Sequence, residues 1–228
     1  DIDRCETDRH LALNTNVRGA ENVVRCCRNR LLVYYSTNAV FDGFREDCRE
    51  EDQPRPINFY GETKWKAEAI IQNLPQHLIL RTAMLYTDDW DGPKFINWLI
   101  RNLSQGTAVK AATDFIMNPT FIHDLATATF ALLQKKCRGL YHVAGGSTLS
   151  CYEMALQIVP KWGFDPSLVQ PVTRAELPWR APRPEKASLN IEKLKNEGIN
   201  MLTFEQGLEK VWEASREAGR APASLFVS

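Results

Sequence analysis

The 228 residues are 44% hydrophobic and 25% charged, with 28 Lys plus Arg set against 28 Asp plus Glu. That composition fits one soluble globular domain, or one with a smaller lobe, and its zero net charge offers no bulk field for nucleic acid or an anionic membrane. No apolar run approaches the roughly 20 residues of a membrane span, and Asp1 to Glu6 does not read as a secretory leader, so a cytoplasmic protein is expected.

The chain opens on a charged segment that leads straight into a helix, and so reads as starting in mid-fold. From about Asp8 to Arg28, Leu11, Leu13, Val17, Ala20, Val23 and Val24 recur near helical spacing. Leu31 to Tyr35 is a short continuous apolar run, which predicts a parallel strand buried on both faces, ended by Ser36-Thr37-Asn38. An acidic loop with Pro54 and Pro56 leads to a helix over about Asn58–Asn73. His77 to Leu80 is a second buried strand, ended by Arg81-Thr82. A helix over Phe95–Leu103 stops at Gly106, a short strand is expected over Val109–Ala112, and an alanine-rich helix over Asp124–Gln134. Leu140 to Val143 is a further strand before Gly145-Gly146. Helices over Ser150–Trp162 and Thr203–Ala218 flank a Pro-rich stretch, Pro166 to Pro184, read as irregular. Such alternation predicts an α/β fold with a parallel sheet and helices on both faces. Ligands then belong beyond the C-terminal strand ends.

Six cysteines without a CxxC, in a chain long enough for a good core, read as free thiols in a reducing compartment. Four scattered histidines lack partners at ligand spacing, so no metal site is expected. The acidic run Glu46, Asp47, Glu50, Glu51 and Asp52 reads as a solvated loop face rather than a cation site. Trp179 and Arg180 suit either a nucleotide-base clamp or a surface anchor, and His123 and His142 read as structural.

The sharpest local signal is Tyr60-Gly61-Glu62-Thr63-Lys64. Residues four apart on a helix share a face, which places an ammonium near a phenol and lowers its pKa toward the working range. By itself such a pair arises often by chance. Upstream, however, a strand ends in Ser36-Thr37, whose hydroxyl suits a substrate carbonyl. Thr37, Tyr60 and Lys64 thus come in the order carbonyl reduction needs, with Tyr60 as proton donor, Lys64 tuning it, and a nicotinamide delivering hydride.

These residues, with Tyr35-Ser36-Thr37-Asn38-Ala39-Val40-Phe41-Asp42-Gly43, resemble the extended short-chain dehydrogenase/reductases, and within them the dTDP-4-dehydrorhamnose reductase group. Further matches follow in order: Asp3-Arg4-Cys5-Glu6, Asn16-Val17, Leu80-Arg81-Thr82, Asn118-Pro119-Thr120, Asp124-Leu125-Ala126, Arg183-Pro184, Ser188-Leu189 and Lys193-Leu194. The resemblance implies NAD(P)-dependent reduction of a 4-keto nucleotide-sugar on a Rossmann-like fold. Residues 1–160 would be the partial dinucleotide-binding and catalytic domain, and 161–228 a smaller substrate-binding lobe with the C-terminal helix, the two interleaving. Thr37, Tyr60 and Lys64 would be catalytic, and Ser36, Tyr60, Lys64, Arg81 and Met84 would contact NADP or NAD. Asn38, Ala39 and Arg183 would contact the sugar nucleotide. Arg81 alternatively pairs with an acid in a structural bridge. A homodimer is the arrangement left open.

Three departures stand out. The family's opening strand and GxxGxxG loop, which cradle the pyrophosphate, have no counterpart in these residues, an expected gap of roughly 60 to 70 residues. Asn38 stands where the family has Asp, and Met84 where an aromatic is frequent. These changes motivate a second reading, a non-catalytic regulatory subunit similar to the β subunit of methionine adenosyltransferase. An epimerase or dehydratase of the same superfamily is a third, disfavoured because Asn38 is not acidic.

Overall fold

The computed structural model describes residues 1–27, 29–89 and 94–219. Its first helical stretch starts earlier than the periodicity indicates. Helix α1 (Ile2–Thr7) ends at Asp8, whose side chain caps α2 (Arg9–Ala12), and a π-helical turn, Leu13–Arg18, leads into α3 (Gly19–Cys26). Strand β1 (Leu32–Thr37) precedes α4 (Phe59–Gln72) and β2 (His77–Thr82). There follow β3 (Leu85–Tyr86), α5 (Phe95–Ser104), β4 (Val109–Ala112), β5 (Ile116–Met117), β6 (Thr120–Phe121) and α6 (Ile122–Gln134). The chain continues through β7 (Gly139–His142), β8 (Leu149–Ser150), α7 (Cys151–Trp162), β9 (Val169–Val172), α8 (Glu192–Asn196) and α9 (Phe204–Glu217). Ser150 and Thr203 start α7 and α9 with reciprocal capping boxes, closed by Glu153 and Gln206, which satisfies otherwise orphaned N–H groups.

The main sheet is parallel, in the order β1-β2-β7. Side chains alternate along a strand, so β2 sends Ile79 into a cluster with Ala20, Ala67 and Ile71 of α3 and α4. Leu78 and Leu80 instead join the main core, built from α5, α6, α7 and α9. Helices therefore cover both faces, as the alternation predicts. β1 departs from expectation: Leu32 to Tyr34 are half-buried and Tyr35 is 45% exposed. Among the described residues β1 pairs with β2.

The Pro-rich stretch is more ordered than its composition indicates. Val169–Val172 pairs with β4 in parallel, and the two form a separate two-stranded sheet. Pro171 is tolerated there because an edge strand leaves one row of amides unpaired. In the acidic loop Glu46, Asp47 and Glu51 are exposed as expected, and Glu50 is an exception. Glu50 accepts the His142 N–H at 2.8 Å and burial raises its pKa, so it faces inward, while Arg45 pairs with Asp52 and Glu46 with Lys186 at 3.4 Å. All six cysteines are free. Among the described residues no helix is long and apolar enough to cross a membrane, and no cluster of three or more His, Cys, Asp or Glu is placed to hold a metal ion.

Candidate active site

The C-terminal ends of β1 and β2 and the first turn of α4 meet at one place, and three local features fix the meeting. Asn58 caps α4 by accepting the Gly61 N–H at 2.8 Å and donates its amide to the Pro182 carbonyl at 2.9 Å. Glu6 accepts the Phe59 N–H at 2.9 Å. Gly61 lies so close to β1's continuation that an added Cβ would stand 2.1 Å from the Ala39 carbonyl oxygen. Only glycine lets the helix start there, and that approach sets Tyr60 beside Thr37.

The result is a cleft of about 470 Å³, within the range of small-molecule sites. Seven of the nine candidate residues line it: Ser36, Thr37, Asn38, Ala39, Tyr60, Met84 and Arg183. Lys64 lies behind this wall. Its Nζ donates to the Tyr35 carbonyl at 2.7 Å and sits 4.0 Å from the centre of the Tyr34 ring. Arg81 is not in the cleft. It is 2% exposed, and its Nε and Nη2 donate to Glu68 Oε1 and Oε2 at 3.0 and 2.7 Å. The cofactor contact expected of Arg81 is thus replaced by the structural bridge, because strand alternation turns its side chain toward α4.

The electrostatics also correct one expectation. Burial raises the Tyr60 phenol above its ordinary value, with a hydrogen bond from Thr37 partly offsetting it. The lowering anticipated from Lys64 is absent, since that ammonium is directed to Tyr35 and Tyr34. Tyr60 therefore holds its proton at neutral pH, which suits a donor. Burial moves Lys64 down to about 8, opposed by the carboxylate of Glu68 one turn on.

Other groups at the rim are partly committed. The Asn38 amide donates to the Ala187 carbonyl at 3.0 Å. Arg183 pairs with Asp3 at 3.1 Å, donates to the Ala181 carbonyl and packs over Trp179. Trp179 meets Phe115 edge-on at 5.2 Å and so packs against one of the residues that line the cleft. His142 is fully buried. Its Nδ1 donates to the Asn190 carbonyl, Nε2 faces Arg81, and burial with that guanidinium holds its pKa down to about 3. His123 lies on the surface against Asp88 at 3.0 Å, in a groove of about 580 Å³ beside α6 and α9 that contains none of the candidate residues.

Met84 has φ +36°, a region few non-glycine residues adopt, and its carbonyl accepts the Thr120 N–H at 3.0 Å. The cleft also includes Thr82, Lys94, Phe95, Phe115 and Met117, which sequence reasoning did not select. Thr82 alone carried a usable signal, because it ends a strand parallel to the one that ends in Thr37. Ser36 Oγ and Thr82 Oγ1 are buried with no protein partner. Alternation turns Thr82 with Thr37 toward the cleft and Ser36 with Arg81 toward α4, so the Thr82 hydroxyl is the orphan that fits the amide-bearing nicotinamide end of a dinucleotide or a hydroxyl of a sugar.

The RmlD substrate binding domain model matches residues 1–217. Among curated relatives, "Probable low-salt glycan biosynthesis reductase Agl14" of Haloferax volcanii is 31% identical over 216 residues, 91% of this chain and 72% of that protein. The methionine adenosyltransferase 2 subunit beta of Xenopus laevis is 30% identical over 222 residues, 92% of this chain and 66% of its own length. Among solved structures, a dTDP-4-dehydrorhamnose reductase from Bacillus anthracis in complex with NADP superposes with a TM-score of 0.88 at 31% identity. That match covers 93% of this chain and 76% of the other. The chain spans about two thirds to three quarters of the length of these relatives.

Proposed function

The chain belongs to the RmlD substrate binding domain family, and from that premise we propose that it reduces the 4-keto group of a nucleotide-linked sugar. The observation that supports this most is the meeting of Thr37, Tyr60 and five further candidate residues in one cleft. The relatives add weight, since they include reductases and a structure holding NADP.

When bound, reduced NADP or NAD supplies the hydride. The remaining work belongs to the chain. The Thr37 hydroxyl orients the substrate carbonyl, and the Tyr60 phenol, kept protonated by burial, gives its proton to the carbonyl oxygen as negative charge develops there. The carbonyl carbon gains the hydride, its oxygen gains the Tyr60 proton, and solvent reprotonates the phenolate. Lys64 keeps its positive charge below about pH 8 and, by donating to the Tyr35 carbonyl, holds the end of β1 beside the first turn of α4. Ser36 and Met84 face the nicotinamide end, and Asn38, Ala39 and Arg183 the sugar nucleotide. Residues 161–228 serve as the substrate lobe. The protein acts in the cytoplasm as a homodimer, with neither nucleic acid nor membrane as partner, which light scattering and fractionation test.

The test of the activity is direct. Full-length protein, reduced dinucleotide and a panel of dTDP-4-keto sugars are mixed, and absorbance at the nicotinamide band is followed. Loss of that band with at least one sugar is expected, and no oxidation with any of them would sink the reading. The Xenopus relative favours a second reading, a regulatory subunit on the same scaffold. Retention of Thr37, Tyr60 and Lys64 speaks against it, and capture of a stable partner protein together with zero turnover would establish it. The dehydratase reading finds no acid beside Thr37, where Asn38 stands.

A further inference from the structure

Thr82 closes β2 directly beside Thr37: the two are register partners on parallel strands. Such neighbours lie about 4.8 Å apart and present their side chains on the same face of the sheet. Thr82 is 7% exposed and lines the same cleft as Thr37 and Tyr60. Its Oγ1 is buried and has no protein partner. Other buried threonine hydroxyls are satisfied: Thr120 Oγ1 donates to the Asn118 carbonyl and accepts the Gly145 N–H, and Thr129 Oγ1 donates to the Leu125 carbonyl, whereas the Tyr34 and Ser36 hydroxyls, on the opposite face of the sheet, also lack a partner. Burying a hydroxyl without a partner is costly, and Val has nearly the same shape without the cost. The Thr82 hydroxyl, on the same face as Thr37, is thus available to a ligand in the cleft.

We propose that Thr82 is a second ligand-binding hydroxyl of the cleft, hydrogen-bonding an amide or hydroxyl group that lies beside the carbonyl held by Thr37. This assignment rests on the reductase reading and extends it to a residue that decides how the reactants sit. The shared chemistry, a group able to donate and accept one hydrogen bond, has two sources: the carboxamide of the nicotinamide and a hydroxyl of the sugar.

The experiment compares wild type, Thr82→Val and Thr82→Ser in the full-length protein. It measures kcat, KM for each reactant, calorimetric affinity for NADPH and for a dTDP-sugar, and thermal midpoint. Thr82→Val should lose roughly 5- to 30-fold in kcat/KM or in affinity for one reactant, the usual effect of removing a hydrogen bond at a buried site. Its midpoint should be equal to or above wild type, and Thr82→Ser should recover most of the loss. A loss confined to the dinucleotide assigns the carboxamide, and one confined to the sugar nucleotide assigns the hydroxyl. If kinetics and both affinities stay within twofold of wild type, Thr82 is not a ligand contact. A lowered midpoint without a binding change likewise overturns the assignment, because the hydroxyl would then serve the fold. Should wild type bind both reactants yet turn over no sugar, the reductase reading fails while weakened binding by Thr82→Val still upholds the contact.

Discussion

Arg81 and Thr82 are neighbours on one strand, yet the fold treats them in opposite ways. Arg81 turns toward α4, where Glu68 takes two of its nitrogens, His142 faces a third and the Phe41 ring lies 5.1 Å from its guanidinium carbon. Thr82 turns to the other face and its hydroxyl meets no protein group. The same contrast separates Asn118, whose amide donates to Gly145 and whose oxygen accepts from Leu189, from Ser36 on β1. Arg81 and Asn118 find their partners inside the fold. The Thr82 hydroxyl, at the end of β2, is left open toward the cleft. Burial does not separate structural from functional polar residues here, because all four are less than a tenth exposed. Satisfaction does.

The largest stability effect should come from the satisfied side. Arg81→Met leaves Glu68 as an uncompensated buried charge, and breaking a buried pair in this way costs about 3–5 kcal/mol. Chemical denaturation should show that loss with the slope unchanged. A change under 1 kcal/mol would mean that Arg81 is not structural and would reopen a ligand role. Thr82→Val, on the open side, should show the reverse pattern, with binding lost and stability kept.

Lys64 lies between the two classes, and its titration sharpens the comparison. Its folded pKa, about 8, is below the ordinary value of 10.5. As pH rises through 8 the ammonium is lost, so turnover should fall along an alkaline limb near that value, approaching tenfold per pH unit. Stability should move the other way. Between about pH 8 and 10.5 the unfolded chain binds the extra proton, so the folded state gains stability as pH rises, and Lys64→Met should remove both trends. An activity profile flat to pH 10 would show that the charge on Lys64 is not used.

Much of this arrangement was legible in the residues. The parallel strands and the helix over 59–72 follow from local periodicity, and Thr37, Tyr60 and Lys64 from spacing along elements that the sequence itself sets. What stayed hidden depends on contacts between distant elements. The bridge from Arg81 to Glu68 spans β2 and α4, and nothing local tells which acid receives the guanidinium. Thr82 became visible only once the register set it against Thr37. The rise in the Tyr60 pKa was missed for a related reason, because helical spacing places Lys64 on the right face without showing that its ammonium reaches Tyr35 instead.

The central claim is that Tyr60 is the proton donor of a reductase cleft, and Tyr60→Phe in the full-length protein tests it most directly. The ring and its packing remain while the proton is removed. Turnover of the 4-keto sugar should fall by roughly 10²- to 10⁴-fold, the range for a positioned acid, with stability changed by no more than about 1 kcal/mol. Combined with Lys64→Ala, the loss should be less than the product of the two single losses, since the pair acts as one unit. Turnover within about threefold of wild type would contradict the account, because a phenylalanine there has no proton to give.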